Sequence, residues 1–419
     1  MIAFIGLSHL GIVYGTATAA KGFDVLGFDT DAEMCASLDA GRLPVAEPGL
    51  DVAFRANRAR LRFTSDPAQL AKCDVLFFSL DVPTDAEGRS NLDPLKKLIA
   101  LAAAHIDPSA TVVILCQVPP GFTRPLTTQT LGGSLFYQVE TLIFGNAVER
   151  AMQPERYIVG CADPSAPMPP AYAKWLDAFG CPVLPMRYES AELAKISINF
   201  FLVSSVATTN TLAEVCERIG ADWSEIAPAL RLDKRIGPHA YLGPGLGIAG
   251  GNLERDLVTV QALAAQHGTE AGVVAAWQNN SRYRRDWALR KIHRLVLSQN
   301  AKPRITLWGL AYKQDTHSIK NSPSLALAES LAPFDKIAYD PQVKSLPSPI
   351  PNLSVAGGAL EACRGADALI VMTPWRQFST IDPCAIRKEM SDDVLIDPFG
   401  VLDATACRAA GFSYHKLGS

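Results

Sequence analysis

The chain has no C-x-x-C pair and neither an H-E-x-x-H nor an H-x-H motif, although it carries nine cysteines and seven histidines. An odd number of scattered thiols, from Cys35 to Cys407, fits neither a disulfide framework nor a zinc knuckle. The cysteines read as reduced thiols of a cytoplasmic protein, and no metal is expected. An excess of either charge is missing as well, because 39 Lys and Arg against 42 Asp and Glu leave a formal net charge of -3. Such a surface has no general attraction for nucleic acid or an anionic membrane, whereas a small anionic ligand needs only a few local donors. No uninterrupted apolar run approaches the roughly 20 residues of a bilayer span. The apolar start Met1–Ile5 lacks the basic leader of a signal peptide and runs into a glycine-rich turn, as a first strand does.

What is present is a globular composition, 48% hydrophobic and free of low-complexity tracts, over 419 residues. That length exceeds one hydrophobic core and predicts two or three domains. Short apolar runs alternate with helical stretches in the first third, which predicts βαβ units around a parallel sheet. Ile2–Ile5, Asp24–Phe28, Val75–Leu80 and Thr111–Cys116 are the clearest strands. From Glu189 to Arg218 the pattern becomes one long helix, with Leu193, Ile196, Phe200 and Val203 forming an apolar stripe that reads as core. A loop rich in glycine and proline, Ile236–Gly251, precedes a second helical block, Leu253 to Gln299. The α/β alternation then restarts, with strands at Arg304–Trp308, Lys336–Tyr339, Ala368–Met372 and Val394–Ile396. Its strand-to-loop corners carry Lys313, Asp340, Thr373 and Asp397. The expected architecture is α/β, with two Rossmann-like domains built on parallel sheets and joined by a long central helix and a helical middle domain. The boundaries fall at 1–188, 189–300 and 301–419.

The first predicted strand leads into Gly6-Leu7-Ser8-His9-Leu10-Gly11, and the second ends at Asp29. That is the spacing of a dinucleotide fingerprint. Gly6 permits the tight turn, and Gly11 lets a helix pack closely on the strand. Ser8 stands where a glycine normally admits the pyrophosphate, so the motif is imperfect. A carboxylate at Asp29 would accept hydrogen bonds from the adenosine ribose and repel a 2′-phosphate, which favours NAD over NADP.

Seven further segments appear in series. They are Glu47-Pro48-Gly49-Leu50, Val82-Pro83-Thr84, Gln117-Val118-Pro119-Pro120-Gly121, Glu192 to Asn199, Arg235-Ile236-Gly237, Gly309 to Lys313, and Asp367 to Pro374. In this order they resemble the UDP-glucose/GDP-mannose dehydrogenase family, and the likeness runs through nearly the whole chain. The resemblance implies an NAD-dependent oxidoreductase that acts on a UDP- or GDP-linked sugar in sugar or polysaccharide biosynthesis and dimerises through its central helix. It also implies cofactor contacts from Gly6, Ser8, His9, Leu10, Gly11, Asp29, Val82, Pro83, Thr84 and Gln117. Substrate contacts are implied for Glu140, Lys195, Asn199, Arg235, Tyr241, Gly245, Gly250 and Lys313.

Enzymes of this kind oxidise a primary alcohol twice, the second time through a cysteine that captures the aldehyde. The family's segment is similar to P-G-x-G-x-G-G-S-C-x-P-K-D, and the corresponding stretch here runs from Pro244 to Asp256 without a gap. Asn252 then stands at the cysteine's place. An amide nitrogen with a delocalised lone pair cannot serve as that nucleophile. In the family's P-E-F-x-x-E-G pattern, Glu140 is kept and Phe144 replaces the second carboxylate. The D-G-R-N and T-x-D-D-x-R runs have become Asp397-Pro398-Phe399-Gly400 and Thr316-His317-Ser318-Ile319-Lys320. Lys195, Asn199 and Asp256 are retained and, by resemblance, assist alcohol deprotonation, with Glu140 as a proton acceptor. The expected reaction is a two-electron oxidation to a keto-sugar or aldehyde, either released or formed within an epimerisation. A full four-electron oxidation to a uronic acid and a non-catalytic dimeric nucleotide-binding protein are the alternatives.

Overall fold

The computed structural model describes residues 1–85, 87–126, 131 and 134–419, and the chain divides into two compact units, Met1–Ile198 and Asn199–Ser419.

In the first unit, eight strands among the described residues form one sheet in the order β3-β2-β1-β4-β5-β6-β7-β8. They are β1 Ile2–Ile5, β2 Val25–Phe28, β3 Leu61–Thr64, β4 Val75–Phe78, β5 Thr111–Ile114, β6 Ser134–Gln138, β7 Tyr157–Cys161 and β8 Val183–Arg187. Strands β1, β2, β4 and β5 are buried along their whole length. Such runs suit central parallel strands covered by helices on both faces. Phe4 and Phe77 stack with centroids 5.0 Å apart, and Trp175, Tyr172 and Tyr157 extend this aromatic layer.

One pairing departs from the all-parallel expectation: β6 and β7 run antiparallel, with Tyr137 opposite Gly160 and Gln138 opposite Val159. The reason lies in the connection. Residues 139–156 carry only the short helix Ala147–Met152 and return at the same edge of the sheet, whereas a parallel crossover must traverse a face. That loop therefore stays at the carboxyl ends of β1, β4 and β5, where open α/β sheets bind ligands. Several strands also end earlier than their apolar runs, β4 at Phe78 and β5 at Ile114, because the residues beyond them turn into that edge.

The second unit holds six strands among the described residues, ordered β11-β10-β9-β12-β13-β14 and all parallel. They are β9 Arg304–Trp308, β10 Asp335–Tyr339, β11 Leu353–Val355, β12 Ala368–Val371, β13 Val394–Ile396 and β14 Ser413–His415. The helices Asn252–His267 and Gly272–Arg285 precede them.

A helix of 32 residues, Tyr188–Ile219, contributes to both units. Of its expected apolar stripe, Ile196 and Val203 are buried and Phe200 is half-buried against Trp277, but Leu193 is 45% exposed. Helical spacing identifies a face; it does not say where along the helix that face is covered. By length and mean hydropathy alone this helix could cross a bilayer, although polar residues such as Lys195, Asn199 and Asn210 interrupt its apolar run. Two of its buried polar side chains accept hydrogen bonds within the fold. Glu192 accepts the Gly121 and Thr123 N–H groups at 2.6 and 2.9 Å, and Asn210 accepts that of Gly245 at 2.8 Å.

Candidate active site

The glycine-rich turn closes as its sequence requires. Gly6 has φ +94°, and a Cβ there would lie 3.0 Å from Leu80. Gly11 sits in the first turn of α1, His9–Ala20, where a Cβ would lie 2.2 Å from the Gly6 carbonyl oxygen. Both positions therefore exclude any side chain. Ser8 is the N-cap of α1 in extended backbone (φ -76°), so no glycine is needed for its conformation. Its hydroxyl donates to the Ser79 carbonyl at 3.1 Å and accepts the Asp81 N–H at 2.9 Å. The imperfection in the fingerprint is thus a tie between the turn and the end of β4.

Asp29 follows β2 and accepts the Leu7 N–H at 2.8 Å and the Asp31 N–H at 3.1 Å. On the other flank, buried His9 pairs with buried Glu47 at 3.0 Å, and Glu47 also accepts the Ala147 N–H at 2.8 Å. This explains the Glu47-Pro48-Gly49-Leu50 segment, which ties α1 to the start of the helix Ala147–Met152. The His9 ring lies 4.3 Å from that of Phe144, which stays 42% exposed. Val82 and Gln117 are buried, and Pro83 and Thr84 belong to a turn in which Thr84 bridges Ser90. A dinucleotide fits this edge, because the turn is closed tightly at Gly6 and Gly11, Ser8 is held back by Ser79 and Asp81, and Asp29 stands at the end of β2.

Two ion and hydrogen-bond pairs carry the chemistry-bearing groups. Lys195 Nζ lies 2.8 Å from Glu140 Oε1, with side chains only 12% and 13% exposed, and Glu140 also accepts the Leu142 N–H at 3.0 Å. In the second unit, buried Asn199 donates to Asp256 Oδ2 at 2.5 Å. Lys195 and Asn199 are one helical turn apart on Tyr188–Ile219. Asn252 is the first residue of the helix Asn252–His267, and its Oδ1 accepts from Arg255 Nη2 at 3.3 Å; Arg255 Nε stands 3.8 Å from Asp256. Gly250, at φ +83°, packs against Tyr312 where a Cβ would lie 2.9 Å from the ring. Lys313 Nζ lies 5.8 Å from the same ring.

Other residues expected at the site have local partners of their own. Arg235 is almost fully exposed and holds Asp233 at 2.6 Å. Tyr241 is 46% exposed, with its carbonyl taken by Thr209. Three corner residues of the second sheet serve their own loops. Buried Asp340 accepts the Leu310 and Ala311 N–H groups at 2.7 and 3.0 Å, Thr373 donates to the Ala311 carbonyl at 2.6 Å, and Asp397 accepts from Leu402 and Tyr414. Asp340 thus fills the turn after β9 from within, which corner position alone could not reveal.

Cys116 is fully buried, its thiol donates to the Phe78 carbonyl at 3.1 Å, and burial pushes its pKa far above the usual thiol value. It is no ready nucleophile. Of the nine cysteines, Cys384 is exposed and Cys181 half-buried. Titration of the native protein with a thiol-specific disulfide reagent is expected to modify Cys384 first and to reach Cys116 only after denaturation; rapid native labelling of Cys116, located by peptide mass, would contradict its burial.

Against known proteins, residues 1–176 match the NAD binding domain of the UDP-glucose/GDP-mannose dehydrogenase family, residues 189–282 its central domain and residues 306–404 its UDP binding domain. The chain belongs to that family. Its members here include the UDP-glucose 6-dehydrogenase of Rickettsia bellii, 27% identical over 434 residues covering 100% of this chain and 99% of that one. The UDP-glucose 6-dehydrogenase TuaD of Bacillus subtilis is 27% identical over 438 residues, covering 100% and 93%. Among solved structures, a UDP-glucose dehydrogenase from Pyrobaculum islandicum superposes with TM-score 0.85 at 24% identity, covering 99% of this chain and 96% of that one. A UDP-D-ManNAc dehydrogenase from Pyrococcus horikoshii superposes at 0.86 with 20% identity, covering 100% and 99%. The chain is therefore an NAD-dependent oxidoreductase of the nucleotide-sugar dehydrogenase family.

Proposed function

We propose that this dehydrogenase performs a two-electron oxidation of a nucleotide-linked sugar, taking one alcohol to a ketone or aldehyde that is either released or used within an epimerisation. The observation that carries this reading is Asn252, an amide held by Arg255 where the family resemblance places the capturing thiol. The turn Gly6–Gly11 would hold the NAD diphosphate, Asp29 the adenosine ribose, and Val82, Pro83, Thr84 and Gln117 the nicotinamide side. When bound, NAD supplies the hydride acceptor.

The chain's own groups handle charge and the proton. The alcohol loses a hydride from carbon and a proton from oxygen, and Lys195 stabilises the oxyanion that develops between those two events. Glu140, 2.8 Å from Lys195, can accept the proton through Lys195 or water. Asn199 and Asp256, joined at 2.5 Å, orient the hydroxyl or a water. Arg235, Tyr241, Gly245, Gly250 and Lys313 would contact the substrate, and the match to the UDP binding domain supports a uridine nucleotide. Phe201, Val215 and Ile219 expose 77%, 46% and 71% of their surface along the long helix, which supports a homodimer formed through it.

The end-to-end match to UDP-glucose 6-dehydrogenases favours a second reading, complete oxidation to the acid with another group replacing the thiol. One experiment separates the two. The protein is incubated with NAD and a panel of UDP- and GDP-sugars, and product mass and NADH yield are measured. One NADH per sugar with a product lighter by two hydrogens is expected for a released carbonyl, and an isomer of unchanged mass with no net NADH for an epimerisation; a carboxylate with two NADH per sugar would refute the proposal.

A further inference from the structure

Glu47 heads the tight turn Glu47-Pro48-Gly49-Leu50. Proline sets its first corner, Gly49 at φ +79° supplies the left-handed second one, and the Leu50 N–H closes it on the Glu47 carbonyl at 3.1 Å. Leu50 is buried and opens the helix Leu50–Ala56, so the turn is held from behind. The Glu47 carboxylate is buried, and its two oxygens serve two different elements: Oε2 lies 3.0 Å from His9 Nε2, and Oε1 accepts the Ala147 N–H at 2.8 Å. His9 is the first residue of α1, and Ala147 is the first of the helix Ala147–Met152. Losing either bond would strand a carboxylate oxygen out of water, so neither helix end moves freely of the other.

The short helix leads back to the proton-handling pair. Arg150 Nε donates to the Thr141 carbonyl at 2.7 Å, and the Asn146 N–H donates to the Ile143 carbonyl at 2.9 Å, so the segment between β6 and this helix is pinned twice. Glu140, next to Thr141, accepts the Leu142 N–H and stands 2.8 Å from Lys195. Phe144 adds an apolar contact, with its ring 4.3 Å from that of His9. The bonds therefore run in series from the amino end of α1 through Glu47, Ala147, Arg150 and Thr141 to the neighbourhood of Glu140, all within the first unit.

We propose that Glu47 is a positioning residue: it ties residues 139–146 to the glycine-rich turn, so that NAD bound at the turn sets Glu140 against Lys195. The N–H groups at the amino end of a helix have no partner within it, and a diphosphate is the kind of ligand they suit. Engaging those of α1 stills His9. Through Glu47 the same ordering reaches the start of Ala147–Met152, and through Arg150 it reaches Thr141. The segment thus gains order from the cofactor without having to touch it. The benefit to catalysis rests on Glu140 as the proton acceptor proposed above; the tie itself rests only on bonds within the first unit.

The test is hydrogen exchange of the whole protein, read by peptide mass with and without saturating NAD. In wild type, NAD is expected to slow exchange by about tenfold both at residues 6–12 and at 139–146. In Glu47→Ala, NAD is expected to bind within about threefold of wild type and to protect 6–12 as before, while 139–146 exchange equally fast with and without it. Glu47→Gln, whose amide oxygen can still accept the Ala147 N–H, is expected to keep most of the protection, a rescue that a general loosening of the fold would not give. Arg150→Met cuts the same series further along without touching the turn, and it carries the test if Glu47→Ala does not fold. It is expected to abolish the NAD effect at 139–143, and because the bonds act in series the double variant should be no looser there than either single one. Protection of 139–146 as strong in Glu47→Ala as in wild type would show that the segment takes its order directly from the cofactor, and would overturn the proposal. No NAD effect at 139–146 in wild type, or a full one at 139–143 in Arg150→Met, would overturn it equally. Because NAD alone is the probe, none of these outcomes depends on which carbon of the sugar is oxidised or how far.

Discussion

Lys195→Met is expected to reduce kcat by about 10²–10³-fold, the scale on which removal of one preorganised oxyanion-stabilising donor acts. The ammonium group lies 2.8 Å from Glu140 with both side chains near one-eighth exposed, so little water is present to replace its charge. Methionine preserves the length and apolar stem of lysine, and the loss is then one of charge and hydrogen bonding. The change has a second consequence. Without its partner the Glu140 carboxylate stands in a poorly solvated position, its pKa rises, and the acidic limb of activity, below which Glu140 is protonated and cannot accept the proton, moves to higher pH. Lys195→Arg, which restores charge with a different geometry, should recover part of the rate. Steady-state rates over a pH series, together with NAD affinity, check this. A kcat within a few-fold of wild type at all pH values would remove Lys195 from the mechanism, and an NAD affinity that fell in parallel would mean that the residue supports the cofactor domain instead.

Gly11→Ala is expected to abolish measurable NAD binding and to destabilise the first unit by about 2–4 kcal/mol, the upper range for overpacking against groups that cannot yield. The new methyl carbon would stand 2.2 Å from the Gly6 carbonyl oxygen and 2.7 Å from Ser79 Oγ. Neither is the mobile end of a long side chain: one is backbone of the turn itself, and the other donates to Gly6 and Ile5 carbonyls. Relief requires α1 to move off β1, which spoils the donor geometry of the turn. Gly15→Ala on the same helix provides the control. There a Cβ would meet Phe4 at 3.5 Å, an ordinary contact, and the gain in helix propensity, roughly 0.5–1 kcal/mol, makes that variant neutral or stabilising. Thermal unfolding with and without NAD distinguishes the two. Equal behaviour of both alanine variants would show that the close approach at Gly11 is not a constraint.

Much of this was legible in the order of residues. The strand-turn-helix around Gly6 and Gly11, the position of Asp29, the long helix and the second α/β unit all follow from periodicity and from where glycine and carboxylates fall. What was not legible depended on partners distant in sequence. Ser8 could be seen to break the fingerprint, but its bond to Ser79 and Asp81 joins residues more than seventy positions apart. Asp340 carried the same signal as Asp29, a carboxylate after a second strand, yet burial turned it inward onto Leu310 and Ala311. Leu193 shared a helical stripe with buried residues, and only the packing reveals that it stays 45% exposed.

The reversal of direction between β6 and β7 has a consequence for how such an enzyme can change. Because residues 139–156 leave β6 and enter β7 at the same end of the sheet, the carboxyl end of β6, their course is set by those two neighbours and by the packing of helix Ala147–Met152 on α1, with Glu47 joining His9 to the Ala147 N–H. Glu140 and Phe144 both ride on this segment. Substitutions confined to its tip, between Glu140 and Phe144, can add or remove a carboxylate without re-threading the sheet, whereas a change at Ala147 reaches back to α1 through Glu47.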